Sequence, residues 1–197
     1  MAGEMPAEHA ILGLLQLDDG SGHGYDLARH FAEGQPLATV IRLEPGMLYH
    51  HLKKLDRVGW ATGTLEPQGS RPPRMVYRIT EAGRAELQRW LREPVAHTRE
   101  IRLEFLVKLY FARRLDPRLA QRLVGEQLET CRRLEASLAA QLEELATVEE
   151  GDEPEFTQLV LALRLRQTRA AIAWLEEVAA SDAGAERAEI SPSRSHN

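Results

Sequence analysis

Apolar positions recur at helical spacing along almost the whole chain. In "PAEHAILGLLQL" Ile11, Leu12, Leu14 and Leu15 make a wide apolar face, which "DDGSGHG" breaks with three glycines in seven positions. The next run, "YDLARHFAEG", carries Leu27, Ala28 and Phe31 at helical spacing and predicts a helix closing at Gly34. A third helix opens at Pro45, which suits a first turn, and stops at Gly59; Leu48, Leu52 and Leu55 recur at i, i+4 and i+7 as its buried seam. There the period changes. "WATGTLE" and "RMVYRIT" read as two strands, the only ones the pattern predicts, on either side of "PQGSRPP", a loop rich in Pro, Gly and Ser with an exposed tip. Thr80 caps a further helix, "EAGRAELQRWLRE", which ends before Pro94.

The second half is written in longer periods. Asp116 as N-cap and Pro117 at the first helical position open about thirty residues of helix. Val124, Leu128, Cys131, Leu134, Leu138, Leu142 and Leu145 recur there at an average spacing of about 3.5, a stripe that needs a partner. After "EEGDEPE", Phe156, Val160, Leu163, Ala170, Trp174 and Val178 supply a second stripe. The two suit an antiparallel helix pair docking on the same pair of a second chain, with Leu138, Leu142, Leu163 and Trp174 at the dimer interface. From Ser181 onward apolar residues nearly vanish, which predicts a disordered tail. The expected organisation is therefore a domain over 1–93, a helical dimerisation domain over 94–180 and a tail over 181–197.

Three helices, a hairpin and one more helix is the order of a winged helix-turn-helix. The fold class is mainly α with a small β-hairpin wing, followed by a long-helix, antiparallel coiled-coil-like domain. With Leu48, Leu52 and Leu55 turned to the core, Met47, Tyr49, His50, Lys53, Lys54 and Arg57 face out. Such a helix fits the roughly 12 Å major groove of DNA, its early residues near base edges and its lysines near phosphates. Arg71 and Arg74, at the hairpin tip, would grip the neighbouring backbone or minor groove.

Charge sharpens this picture. Across 197 residues, 25 basic and 30 acidic side chains give a net charge of -5, which by itself argues against a polyanionic partner. The distribution reverses the argument: residues 1–41 hold one basic and six acidic side chains, residues 42–92 ten and five, and residues 93–197 fourteen and nineteen. The positive field is confined to the segment carrying the third helix and the hairpin, as expected where one surface meets double-stranded DNA. For a lone helix, Lys53, Lys54 and Arg57 would read as an ordinary solvated face; the hairpin arginines and the local charge decide otherwise.

Other chemistry finds little support. His23, His30, His50 and His51 invite a metal, yet no HxxxH, HExxH or CxxC spacing is present, so neither a metal nor a cofactor is expected. Cys131 is the only cysteine, which rules out an intramolecular disulfide and suits a reducing compartment; on its stripe it reads as a small core residue rather than a redox sensor. There is no GxSxG, no phosphate-cradling glycine loop and no EF-hand series, so an enzyme is not expected. The first apolar run stops after about seven residues, against about 18 needed to span a bilayer, and predicts a cytoplasmic chain without a membrane partner.

The segments "HAILGLL", "HGYDLARHF", "PGMLYHHLKKLDRVGW" and "RPPRMVYRITEAGRAELQRWL" resemble, in order and spacing, the DNA-binding half of PadR-type transcriptional regulators. "REIRLEFLVKLYFARRL" and "LVLALRLRQTRAAIAWLEEV" resemble the helical C-terminal half of the longer PadR subgroup, so the resemblance spans about residues 6–180. It implies a homodimeric, repressor-like protein, often ligand-responsive, with the tyrosine at the position of Tyr49 on the phosphate backbone. Where many members have proline after that tyrosine, this chain has His50. Because regulators of this kind bind flat ligands between aromatic side chains, Trp90 and Trp174 are candidates for a pocket taking a small aromatic or hydrophobic effector, against the plainer role of filling the core. The competing function is a protein-interaction module whose basic face meets an acidic protein.

Overall fold

An α-helix whose polar residues are too few to cover it must sit inside, and α1 (Ala7–Leu17) does: every residue from Ala7 to Leu15 is buried. The structure is a computed structural model that describes residues 6–69, 71–146 and 152–190, with the side chains of 71, 72, 152–154 and 183–190 outside that description. It divides into two units, Met1–Glu93 with Arg102–Ala120, and Pro94–Ile101 with Gln121–Asn197.

In the first unit α1 is followed by β1 (Ser21–His23), α2 (Gly24–Arg29), a short turn of 3-10 helix (Leu37–Thr39), α3 (Pro45–Arg57), β2 (Ala61–Gln68), β3 (Arg71–Ile79) and α4 (Glu81–Arg92). This is the expected winged-helix order with three departures. The sheet has three strands in the order β1-β3-β2, β1 pairing antiparallel with β3 through Ser21↔Arg78 and His23↔Val76. The hairpin is longer than "PQGSRPP" suggested, because its strands still pair at Gln68↔Arg71. Proline is tolerated there because the far end of a two-stranded ribbon has outward-facing edges that need no ladder bond. The third departure is that α2 ends at Arg29, five residues before the predicted stop at Gly34. Signals for α3 and α4 hold: Pro45 lies at the start of α3, Gly59 follows it at φ 78°, and Thr80 Oγ1 accepts from the Gly83 N–H at 3.0 Å.

The unit is completed from beyond its expected boundary. One turn of helix, α5 (Thr98–Glu100), leads through a wide π-type turn (Ile101–Phe105) into α6 (Leu106–Leu115), and α6 packs on α1 and α4. Val107, Phe111 and Ala112 are buried there. So is Lys108, whose ammonium donates to the Glu93 carbonyl at 2.7 Å and pairs with Glu104 at 3.0 Å. A domain boundary at 93 therefore cuts through a single core.

The second unit holds most of α7 (Pro117–Leu145) and all of α8 (Asp152–Ile190). Asp116 Oδ1 accepts from the Arg118 N–H at 2.9 Å, the cap the sequence predicts. The helices are antiparallel, since Glu135 pairs with Arg169 at 2.7 Å while the earlier Arg132 meets the later Glu176 at 3.0 Å. Leu138, Leu161 and Leu165 form the core between them, flanked by Leu134, Leu142 and Leu145. The predicted α7 stripe is the buried one. The α8 stripe is not: Leu161, Leu165, Thr168 and Leu175 turn inward, whereas Phe156, Val160 and Leu163 are exposed. Helix α8 also continues to Ile190, into the segment expected as tail, where alanine and charged residues sustain helix without apolar content; residues 191–197 lie outside the described residues. Cys131 is buried beside Gln127, and burial pushes its thiol up, which disfavours the reactive thiolate and suits a core role.

Candidate nucleic-acid interface

Helix α3 is the element on which the basic segment converges. Its seam of Leu48, Leu52 and Leu55 has no exposed surface. Opposite, Met47, Tyr49, His50, Lys53 and Arg57 are exposed as expected. Successive helical residues lie about 100° apart, so the two neighbours that looked alike in sequence part company: His50 points out and His51 points in.

Inside, His51 meets a residue that the sequence did not single out. Glu8 of α1 is 4% exposed, and its Oε1 accepts from His51 Nδ1 at 2.9 Å and from Lys54 Nζ at 2.8 Å. A carboxylate only accepts, so Nδ1 must carry the imidazole proton, while Nε2 is buried and unpartnered among the described residues. Burial alone would push the Glu8 carboxyl up; the hydrogen bonds and charges of Lys54 and His51 outweigh it and hold it below the ordinary carboxylate range. Lys54, expected among the DNA-facing lysines, is thus committed to an internal ion pair.

Two further contacts fix the helix. Asp56 Oδ1 accepts from the Gly63 N–H of β2 at 3.1 Å, tying the end of α3 to the hairpin. Near its start, the ring of Tyr49 lies against Gly24, where an added Cβ would come within 2.5 Å of the aromatic carbon. Only glycine leaves that room, and it sets the direction in which the Tyr49 hydroxyl leaves the surface. The next residue, Tyr25, is 72% exposed, a position the sequence pattern did not single out because its exposure follows only from the packing around it.

Arg74 is exposed and pairs in register with Glu66; the side chain of Arg71 lies outside the described residues. Arg78 is bound to Glu66 at 2.7 Å and Arg89 bridges Glu86 and Glu93, so these cations are neutralised in place. Lys53 and Arg57 have no ion pair among the described residues, and the field they project is correspondingly unscreened by the chain itself.

The aromatic candidates divide. Trp90 belongs to the first unit, where the His9 ring stacks on it at 4.4 Å, the Lys108 ammonium stands 5.0 Å from its ring centroid, and its Nε1 donates to Glu104 at 3.1 Å. Nothing flat can slide onto a ring so covered, and Trp90 fills core instead. Trp174 is half-buried on α8 in the second unit.

The profile described as "Transcriptional regulator PadR-like family" matches residues 11–89, and that described as "Virulence activator alpha C-term" matches residues 101–181. The negative transcriptional regulator PadR of Bacillus subtilis (strain 168) is 31% identical over 179 residues, covering 88% of this chain and 95% of the relative. Among solved structures, Bacillus subtilis PadR in complex with operator DNA is 30% identical, covering 87% of this chain and 97% of that one, with a TM-score of 0.43. Bacillus subtilis PadR in complex with p-coumaric acid is 28% identical, covering 92% and 98%, with a TM-score of 0.39. With one relative matched along nearly its whole length and the family profile lying over the helices and hairpin just described, the chain belongs to the PadR-like family of transcriptional regulators.

Proposed function

We propose that this transcriptional regulator is a DNA-binding repressor that acts as a homodimer on an inverted-repeat operator and answers to a small aromatic effector. The observation that carries the reading is the exposed face of α3, where Lys53 and Arg57 are unpaired among the described residues while the neighbouring Lys54, Arg78 and Arg89 are neutralised within the chain. A helix held by Glu8, Gly63 and Gly24 presents that face rigidly, which suits insertion into a major groove. Repression is the activity named for the Bacillus subtilis relative, and operator DNA and p-coumaric acid are what that protein has been captured with.

The dimer is supported by α8. Phe156, Leu159, Val160 and Leu163 are exposed on one stretch, where an isolated chain would leave an apolar patch in water. Leu163 thus fits the expected interface, whereas Leu138 is buried inside the chain's own helix pair and Leu142 packs beside it. One winged module buries only about 600–1,000 Å² on DNA, so reading two half-sites through a two-fold axis is what gives selectivity. Among the described residues no helix is long and apolar enough to cross a membrane.

Selecting bound duplexes from a random pool tests the reading. A repressor of this kind enriches an inverted repeat with half-sites about one or two helical turns apart and loses affinity steeply with salt. No enriched sequence and a flat salt dependence would instead favour a module binding an acidic protein.

A further inference from the structure

The cations of α3 suit phosphates, and phosphates are the same at every base pair, so selectivity needs another side chain. Successive helical residues turn by about 100°, which places Gly46, His50, Lys53 and Arg57 on one strip opposite Leu48, Leu52 and Leu55, with Met47 and Tyr49 along its two edges. Residues in the opening turns of such a helix lie nearest to base edges. There the choice is narrow. Gly46 has no side chain, Met47 has no hydrogen-bond donor, and the Tyr49 ring rests against Gly24. That leaves His50.

Two observations suit His50 to the task. Its imidazole makes no hydrogen bond or ion pair among the described residues, while the ring of His51 stands edge-on to it at 5.7 Å and 79°. His51 is itself held by Glu8 at 2.9 Å, so His50 carries an unused N–H on a ring supported from within the domain. The second observation lies one turn earlier. A Cβ built on Gly46 would meet nothing within 4 Å, so nothing within the chain requires glycine there, and alanine is the better helix former. A bare backbone lets the helix come closer to a partner, which a side chain as short as imidazole needs.

We infer that His50 is the base-reading residue of α3, that it selects a guanine, and that Gly46 gives it the reach. The inference rests on the DNA-binding reading above and names the residue and the base that reading leaves open. In the major groove guanine presents two acceptors side by side, N7 and O6, whereas adenine sets an amino group beside its N7, thymine a methyl group beside its O4, and cytosine offers an amino group alone. A single N–H donor is best satisfied between the two acceptors of guanine. Proline, which many PadR-type regulators have at this position, carries no such donor, so the preference belongs to this chain.

The test selects duplexes from a random pool with the full-length chain and with His50→Ala, an exposed position whose variant should melt with the parent. The parent should enrich a G·C pair at one fixed place in each half-site, and His50→Ala should lose the preference at that place alone. Replacing that guanine by 7-deazaguanine, which lacks the N7 acceptor, should weaken the parent about tenfold and leave His50→Ala unaffected. Gly46→Ala should melt no lower than the parent and bind the selected duplex about fivefold more weakly. The inference is overturned if His50→Ala enriches the same half-site as the parent, if the preference it loses is for another base, if 7-deazaguanine affects both proteins alike, or if Gly46→Ala binds as tightly as the parent. A parent chain that enriches no duplex overturns the repressor reading and the inference with it, whereas one that enriches a repeat indifferent to His50 overturns the inference alone.

Discussion

Helices α3 and α8 are both amphipathic, and they differ in what burial leaves over. The apolar seam of α3 is used up inside its own unit, with Leu48, Leu52 and Leu55 fully covered, so its remaining surface is polar and cationic. Helix α8 uses Leu161 and Leu165 against α7 and still has Phe156 and Leu163 exposed at 69% and 56%. The leftover surface indicates the partner each can take. Unpaired cations attract a polyanion and do little for folding, whereas exposed aromatic and aliphatic side chains gain most from another apolar surface.

The largest effect should come from spoiling the α8 surplus. Phe156→Asp with Leu163→Asp should keep the fold of each chain, since both positions are exposed, yet yield monomers by sedimentation. Affinity for an inverted repeat should fall by about 100-fold or more, because the second half-site loses its effective concentration. A double variant that stays dimeric would place the dimer contact off this stripe.

Next in size is the anchor of α3. Glu8→Ala strands Lys54 and the buried His51, and should cost about 3 kcal/mol in denaturant unfolding, as broken buried pairs do. Because the folded pKa of Glu8 is lowered, its contribution is fully present above the unfolded value near 4.5 and is lost as pH falls through the lower folded value. Glu8→Gln should flatten that acid-side decline; an unchanged pH profile of stability would show that Glu8 is not the group responsible.

A finer test separates two adjacent lysines. Lys53→Ala should weaken DNA binding on most sequences and reduce the salt slope by about one, the mark of one lost phosphate contact. Lys54→Ala should leave that slope nearly unchanged and lower the melting temperature instead, because its ammonium is bonded to Glu8. Equal slopes for the two variants would mean that DNA draws Lys54 away from the carboxylate.

The smallest expected effect is that of Tyr49→Phe. It should remove one hydrogen bond, about 1 kcal/mol of binding, with stability intact. Mobility shifts and thermal melts on the same samples would check both halves, and a stability loss without a binding loss would make Tyr49 a packing residue against Gly24.

Legibility followed the range of the signal. Helices α3 and α4 could be read because their starts and stops are local, written in Pro45, Gly59 and Thr80. Strand β1 could not: three residues flanked by glycines have no period of their own and become a strand only along the edge of β3. Which side of α8 faces α7 could not be read, because Leu159, Leu161, Leu163 and Leu165 spread around the helix, and only the partner helix selects which of them are covered. The α6 segment looked like the opening of a second domain, but its apolar residues complete the core around α1. Glu8 escaped notice because an acidic residue in a helix's first turn is ordinary complementarity to the helix dipole.

By itself, then, the chain determined where α1, α3, α4 and α7 lie, that one segment is basic, and that α3 offers a polar face, since all of these follow from residue type and spacing within a few turns. Which members of that face are available was decided elsewhere. His51 and Lys54 differ from His50 and Lys53 only by one step of the helix, yet they are bound to a carboxylate 43 and 46 residues away in sequence. Inward and outward on a helix are directions defined by what the rest of the chain packs against it, and that information exists only once α1 has been buried.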